Sequence, residues 1–177
     1  MQSFLQMTQD WANFFEALAQ ISGALVGLVF VALTFNPRLL GEGKDPVLGA
    51  LASQTFADFV LLMLVSLVML VPHMTESDTG LLILMLVVID VLRVLWGLVQ
   101  ARRHLFGGSH TGKLLQRFLL SFVAHAMLGW VGWEWLHNEP DSAQTESLLL
   151  TGVFLLLLSG CRSAWLLIVH QEKMPSR

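Results

Sequence analysis

Five long apolar runs, at 13–35, 46–71, 80–99, 115–135 and 147–169, take up most of this 177-residue chain. Each reaches the roughly 20 residues that a helix needs to cross the hydrocarbon core of a bilayer. The breaks between them carry residues that end helices or make turns. These are Asn36-Pro37 and Gly41 to Pro46, then Pro72 to Gly80, then Gly107-Gly108, then Glu139-Pro140. The expected fold is therefore all-α: a polytopic membrane bundle of five transmembrane helices forming one domain over 1–177. No polar stretch is long enough to hold a further soluble domain. Met1 to Asn13 has no Lys or Arg, so it does not read as a cleaved signal peptide, and the first membrane helix is expected to do the targeting.

Orientation follows from the basic residues. The 36–45 loop has Arg38 and Lys44, the 100–114 loop has Arg102, Arg103 and Lys113, and the tail has Lys173 and Arg177. The N-terminus and the 72–79 and 136–146 loops have none. Cytoplasmic loops concentrate Lys and Arg, so this alternation places the N-terminus outside and the C-terminus in the cytoplasm. Tryptophan agrees: Trp11, Trp130, Trp133 and Trp135 fall near the outer boundary, and Trp96 and Trp165 near the inner one, where an apolar ring with a polar N–H is favoured.

Only 13% of the residues are charged, against about 25% in an ordinary soluble domain, so each buried charge is informative. Asp58, Asp90, Arg93 and Arg162 lie inside the apolar runs. A charge at the centre of a membrane helix costs about 2.5–3.5 kcal/mol, so four left alone would cost roughly 10–14 kcal/mol. Their signs balance, which implies that they meet. Asp90 and Arg93, three apart on one helix, can pair directly. Asp58 and Arg162 then need partners on other helices, and are expected to find each other. His125, at matching depth on the fourth span, can sit beside either carboxylate. Asp58, Asp90, Arg93, His125 and Arg162 thus form an expected intramembrane charge layer, with Glu16 and Gln20 at its outer mouth.

Each span also gathers its polar and small residues on one face, by helical spacing. The faces are Glu16, Gln20, Gly23 and Gly27; Gln54 and Asp58; Asp90, Arg93, Gly97 and Gln100; Arg117, Ser121, His125, Gly129 and Gly132; and Gly152, Ser159 and Arg162. Two readings of these stripes stay open. They line a water-filled path or binding cavity, or they let helices pack closely and bond across the bundle. Ala19, Gly23 and Gly27 make a small-residue ladder suited to close helix contact, within the subunit or between subunits.

Other chemistry finds little support. Net charge of −3 gives no reason to expect nucleic acid. A single cysteine, Cys161, allows no internal disulfide and no cysteine metal cluster. His73 with Glu76, and Glu134 with His137, are i, i+3 pairs at the outer boundary that only loosely match bundle metal sites, and no metal or cofactor is expected. No nucleophile–base arrangement or phosphate loop is visible, so no enzyme is expected. Met1 to Phe15 reads as an outer interfacial segment. The basic loop of Arg102, Arg103, His104, His110 and Lys113 fixes topology or meets anionic headgroups or a protein partner.

The stretch Phe14-Phe15-Glu16-Ala17-Leu18-Ala19-Gln20-Ile21-Ser22-Gly23-Ala24-Leu25-Val26-Gly27-Leu28-Val29-Phe30-Val31-Ala32-Leu33-Thr34 resembles the first helix of small, functionally uncharacterised bacterial multi-pass membrane proteins. The resemblance covers that helix alone. It implies a bacterial inner membrane and carries no activity. Combined with the residues, it leads to an oligomeric five-helix bundle of the inner membrane, with the bilayer and further copies of the chain as partners. That bundle is a small pore or ion/proton-coupled transport protein, or else a non-conducting interaction or assembly subunit in which the charge layer is structural.

Overall fold

A computed structural model describes residues 4–35, 46–105, 111–137 and 142–172, with side chains at 4, 6–35, 49, 51–96, 119–137 and 144–165. All the described elements are helices: α1 (Phe4–Asp10), α2 (Ala12–Phe35), α3 (Pro46–Leu70), α4 (Glu76–Leu105), α5 (Thr111–His137) and α6 (Ser142–Glu172). Among the described residues, four stretches are long and apolar enough to cross a membrane: Ala12–Phe35, Leu51–Leu70, Glu76–Trp96 and Gln144–Trp165. This is the make-up of a helical membrane protein. The remaining expected span, 115–135, falls in α5, whose side chains up to 118 lie outside the described residues.

The helices outrun the apolar runs that foretold them. Helix α4 begins at Glu76 rather than at residue 80 because Thr75 caps it. The Asp78 backbone N–H donates to Thr75 Oγ1 at 3.2 Å, and that hydroxyl donates to Asp78 Oδ2 at 2.7 Å. Glu76 and Asp78 in the first turn also complement the positive end of the helix dipole. At its other end α4 continues to Leu105, so Gln100 to Leu105 are helical and not loop. Of the loop residues, 36–45 and 106–110 lie outside the described residues, as do the side chains of Arg102, Arg103, His104, Lys113 and Arg117.

Helices α3, α4, α5 and α6 close into a ring, each packed on the next and α6 back on α3, while α2 lies outside it, chiefly against α3. Apolar side chains from all four ring helices fill the interior, among them Phe59, Leu62, Ile83, Leu128, Val131 and Leu156. The outward faces keep large apolar groups such as Leu28, Leu92, Phe122, Phe154 and Leu158, as lipid contact requires. Helix α1 folds back onto the bundle, with Met7 buried and Phe4 edge-on to Trp135 at 5.4 Å. Trp135 is thus buried at the end of the bundle. Trp96, Trp130, Trp133 and Trp165 are exposed, as an interfacial belt would be.

A close helix crossing, backbone against backbone, is made by Gly80 and Gly132. A Cβ on Gly80 of α4 would lie 2.7 Å from the Gly132 carbonyl oxygen, and one on Gly132 would lie 2.9 Å from the Gly80 carbonyl oxygen. By contrast, a Cβ on Gly23 would meet only Met63 Sδ at 3.7 Å, and one on Gly27 would meet nothing within 4 Å. Of the Ala19–Gly23–Gly27 ladder, Ala19 and Gly23 are half-buried and Gly27 is exposed.

Candidate functional site

Midway along the ring helices the apolar interior gives way to a polar network. Its centre is Asp58 of α3, whose residue is 0% exposed. Three neutral donors from three helices hold the carboxylate. Gln54 Nε2, one turn earlier on α3, donates to Oδ1 at 2.7 Å. Ser121 Oγ of α5 donates to the same oxygen at 2.9 Å. Ser159 Oγ of α6 donates to Oδ2 at 3.1 Å.

The second carboxylate, Asp90 of α4, has different company. Arg93 Nε, three residues on, donates to Oδ1 at 2.8 Å. His125 Nε2 of α5 lies 2.6 Å from Oδ2. The guanidinium then reaches α3: Nη1 donates to Ser53 Oγ at 3.0 Å, and Nη2 to Gln54 Oε1 at 3.3 Å. Gln54 therefore links the two carboxylates, taking a bond from Arg93 with its oxygen and giving one to Asp58 with its nitrogen. Turning the amide over would face an N–H against the guanidinium, so one orientation is fixed.

In this arrangement the His125 ring is set as well. Its Nδ1 lies 2.6 Å from the Ser121 backbone carbonyl, which can only accept, so Nδ1 carries a hydrogen. Nε2 faces a carboxylate oxygen, so one further proton lies between Nε2 and Oδ2, on one atom or the other. With that proton counted, Asp58, Asp90, Arg93 and His125 sum to zero charge.

The sequence expectation of a charge layer is met in part by this geometry. Asp58, Asp90, Arg93 and His125 come together. Arg162 does not join them: it is exposed on α6, and among the described residues it meets neither Asp58 nor any other carboxylate. The cause is helical phase. On α6, Leu156, Ser159 and Ser163 point inward, and Arg162 falls beside that line. The fourth charge is balanced by a proton on the His125–Asp90 pair, not by a second arginine. Glu16 and Gln20 are also outside the network, exposed on α2, where Gln20 Nε2 donates to Glu16 Oε1 at 3.3 Å. Ser53, Gln54, Ser121 and Ser159 complete the network; the last three stand on the polar faces read from the sequence, and Ser53 does not. Gln54 and Ser121 also each stand four residues before a buried titratable group.

The pairs at the bundle end behave otherwise. Glu134 accepts from Trp130 Nε1 at 2.7 Å and from Thr145 Oγ1 at 2.5 Å, while His137 stacks on Trp133 at 4.0 Å. His73 is exposed in the α3–α4 turn. Among the described residues, the three-ligand group suited to a metal ion is Asp58, Asp90 and His125, whose ligand atoms lie within 4.8 Å of one another. A cavity of about 210 Å³ between α1 and the α3–α4 turn contains none of the network residues. No family model, curated protein or solved structure matches the chain.

Proposed function

We propose that this chain is a proton-coupled transport or conducting protein of a bacterial inner membrane, using the Asp58–His125–Asp90–Arg93 network as its ion-handling element. In this reading α2 to α6 make five spans, with the N-terminus outside and the C-terminus cytoplasmic, in keeping with the alternation of Lys and Arg along the chain. The observation that carries the proposal is the position of His125. It touches one buried carboxylate directly and stands one hydroxyl away from a second. Chains of Asp, Glu and His inside a membrane are the material of proton relays. The outward face of α2, with Glu16, Gln20 and Gly27, is the surface offered to a second copy in an oligomer.

The test is proton or ion flux in proteoliposomes. Asp58→Asn should change flux while insertion and the detergent-solubilised fold stay intact, and unchanged flux would sink the proposal.

One observation favours a second reading, a non-conducting assembly or interaction subunit. Among the described residues, the only buried side-chain polar atom without a hydrogen-bond partner is Ser22 Oγ. The network itself is fully bonded, as a structural tie across α3, α4, α5 and α6 would be. In that case Asp58→Asn alters detergent stability, and neither the wild type nor the variant conducts.

A further inference from the structure

We propose that Ser121 and His125 form a relay that moves one proton between Asp90 and Asp58, so that the cation this site takes is a proton. The inference deepens the transport reading, and its physiological meaning rests on that reading.

The geometry supplies each hop. The Ser121 hydroxyl has one hydrogen and two acceptor positions. The hydrogen goes to Asp58 Oδ1 at 2.9 Å, and one acceptor position takes Gln54 Nε2 at 3.0 Å. The other faces His125 Nδ1 at 3.4 Å. Since Nδ1 carries a hydrogen bonded to the Ser121 carbonyl, the same hydrogen has a second acceptor close by. Tilting the ring by about 0.5 Å brings the hydroxyl into ordinary N–H···O range.

The transfer balances. Asp90 Oδ2 gives its proton to His125 Nε2. Nδ1 gives its proton to Ser121 Oγ, and the Ser121 hydroxyl gives its own to Asp58 Oδ1. Asp90 ends as carboxylate, Asp58 as carboxylic acid, Ser121 as hydroxyl, and the imidazole as the neutral Nε2–H tautomer, whose bare Nδ1 swings off the Ser121 carbonyl and accepts the Ser121 hydroxyl hydrogen instead. The reverse sequence resets it. Arg93 stays charged, so the network sums to zero before and after.

Charge also decides between a proton and a metal. Asp58, Asp90 and His125 have ligand spacing for a divalent ion. With both carboxylates ionised, imidazole neutral and Arg93 in place, a dication leaves one uncompensated positive charge inside the membrane. Such a charge costs about 2.5–3.5 kcal/mol. A proton leaves none.

The experiment is nitrogen NMR on ¹⁵N-histidine protein in lipid bilayers, with the His125 signals identified by their loss in His125→Gln. Wild type should show both neutral tautomers in exchange. Ser121→Ala should leave the Nδ1–H tautomer alone and cut proton flux by about 10²-fold, the usual worth of a positioned proton donor, and Ser121→Thr should restore both. A single His125 tautomer in wild type overturns the relay, whether or not vesicles conduct, and that measurement stands even if Ser121→Ala fails to fold. A metal-shifted His125 signal on adding Mn²⁺ or Zn²⁺ overturns the choice of proton. Tautomer exchange without flux leaves the relay standing and removes the transport reading.

Discussion

A methyl group at position 80 has no space. Built on Gly80, it would lie 2.7 Å from the Gly132 carbonyl oxygen, 2.8 Å from the Leu136 backbone nitrogen and 2.8 Å from Trp135 Cβ. All three are backbone or first-carbon atoms of α5, so no side chain can swing clear. Ordinary contact begins near 3.4 Å, so the helices must part by about 0.7 Å. Overpacking of this kind costs about 1–3 kcal/mol. The same pair of helices carries the 2.6 Å contact between Asp90 and His125. If α4 and α5 part as rigid bodies, that contact lengthens to about 3.3 Å and weakens, which adds about 1 kcal/mol. Against this stands the better helix propensity of Ala, about 1 kcal/mol. Gly80→Ala should therefore lose about 2 kcal/mol. Gly27→Ala, with nothing within 4 Å, should be neutral or slightly stabilising. Reversible unfolding in mixed micelles measures both. Equal stabilities for the two variants would refute the close crossing of α4 and α5.

Three further outcomes follow from contacts described above. In double-mutant cycles, Asp58→Asn with Arg162→Gln should couple by less than about 0.5 kcal/mol, while Asp58→Asn with Ser159→Ala should couple by about 0.5–3 kcal/mol; a strong Asp58–Arg162 coupling would restore the pairing that the sequence alone favours. Thr75→Ala should cost about 1 kcal/mol through the lost cap of α4, and Thr75→Ser should recover most of it in the same unfolding assay. His73, at φ 61° in the α3–α4 turn, occupies a conformation that costs a non-glycine residue about 1 kcal/mol, so His73→Gly should raise the unfolding midpoint.

Much of the site was legible because it is local. Asp90 and Arg93 are three apart on one helix, and Gln54 and Asp58 four apart, so helical geometry alone makes them neighbours. The nearness of His125 to a carboxylate followed from depth. The expected Asp58–Arg162 pair required the rotation of α6 about its own axis, which formal charge balance does not encode. Ser159 and Arg162 are separated by about 60° on a helical projection, enough to set one inside the ring and the other outside. The small-residue ladder of α2 raises a related point. Spacing identifies helices able to approach closely, but not which partner comes. Gly80 and Gly132, on different helices and part of no repeated motif, make one such approach inside the subunit.

The three donors around Asp58 also set a timetable for the chain's own synthesis. Gln54 arrives with Asp58 on the same helix. Ser121 is 63 residues later and Ser159 is 101 residues later. At about 5–20 residues per second, the last donor appears roughly 5–20 s after the carboxylate it must serve. Asp90 waits less, since Arg93 follows it within one turn and His125 comes 35 residues later. Helix α3 is thus the segment that depends longest on whatever holds nascent helices beside the bilayer. Slowing translation between Asp58 and Ser159 should show up first as loss of this helix from the membrane.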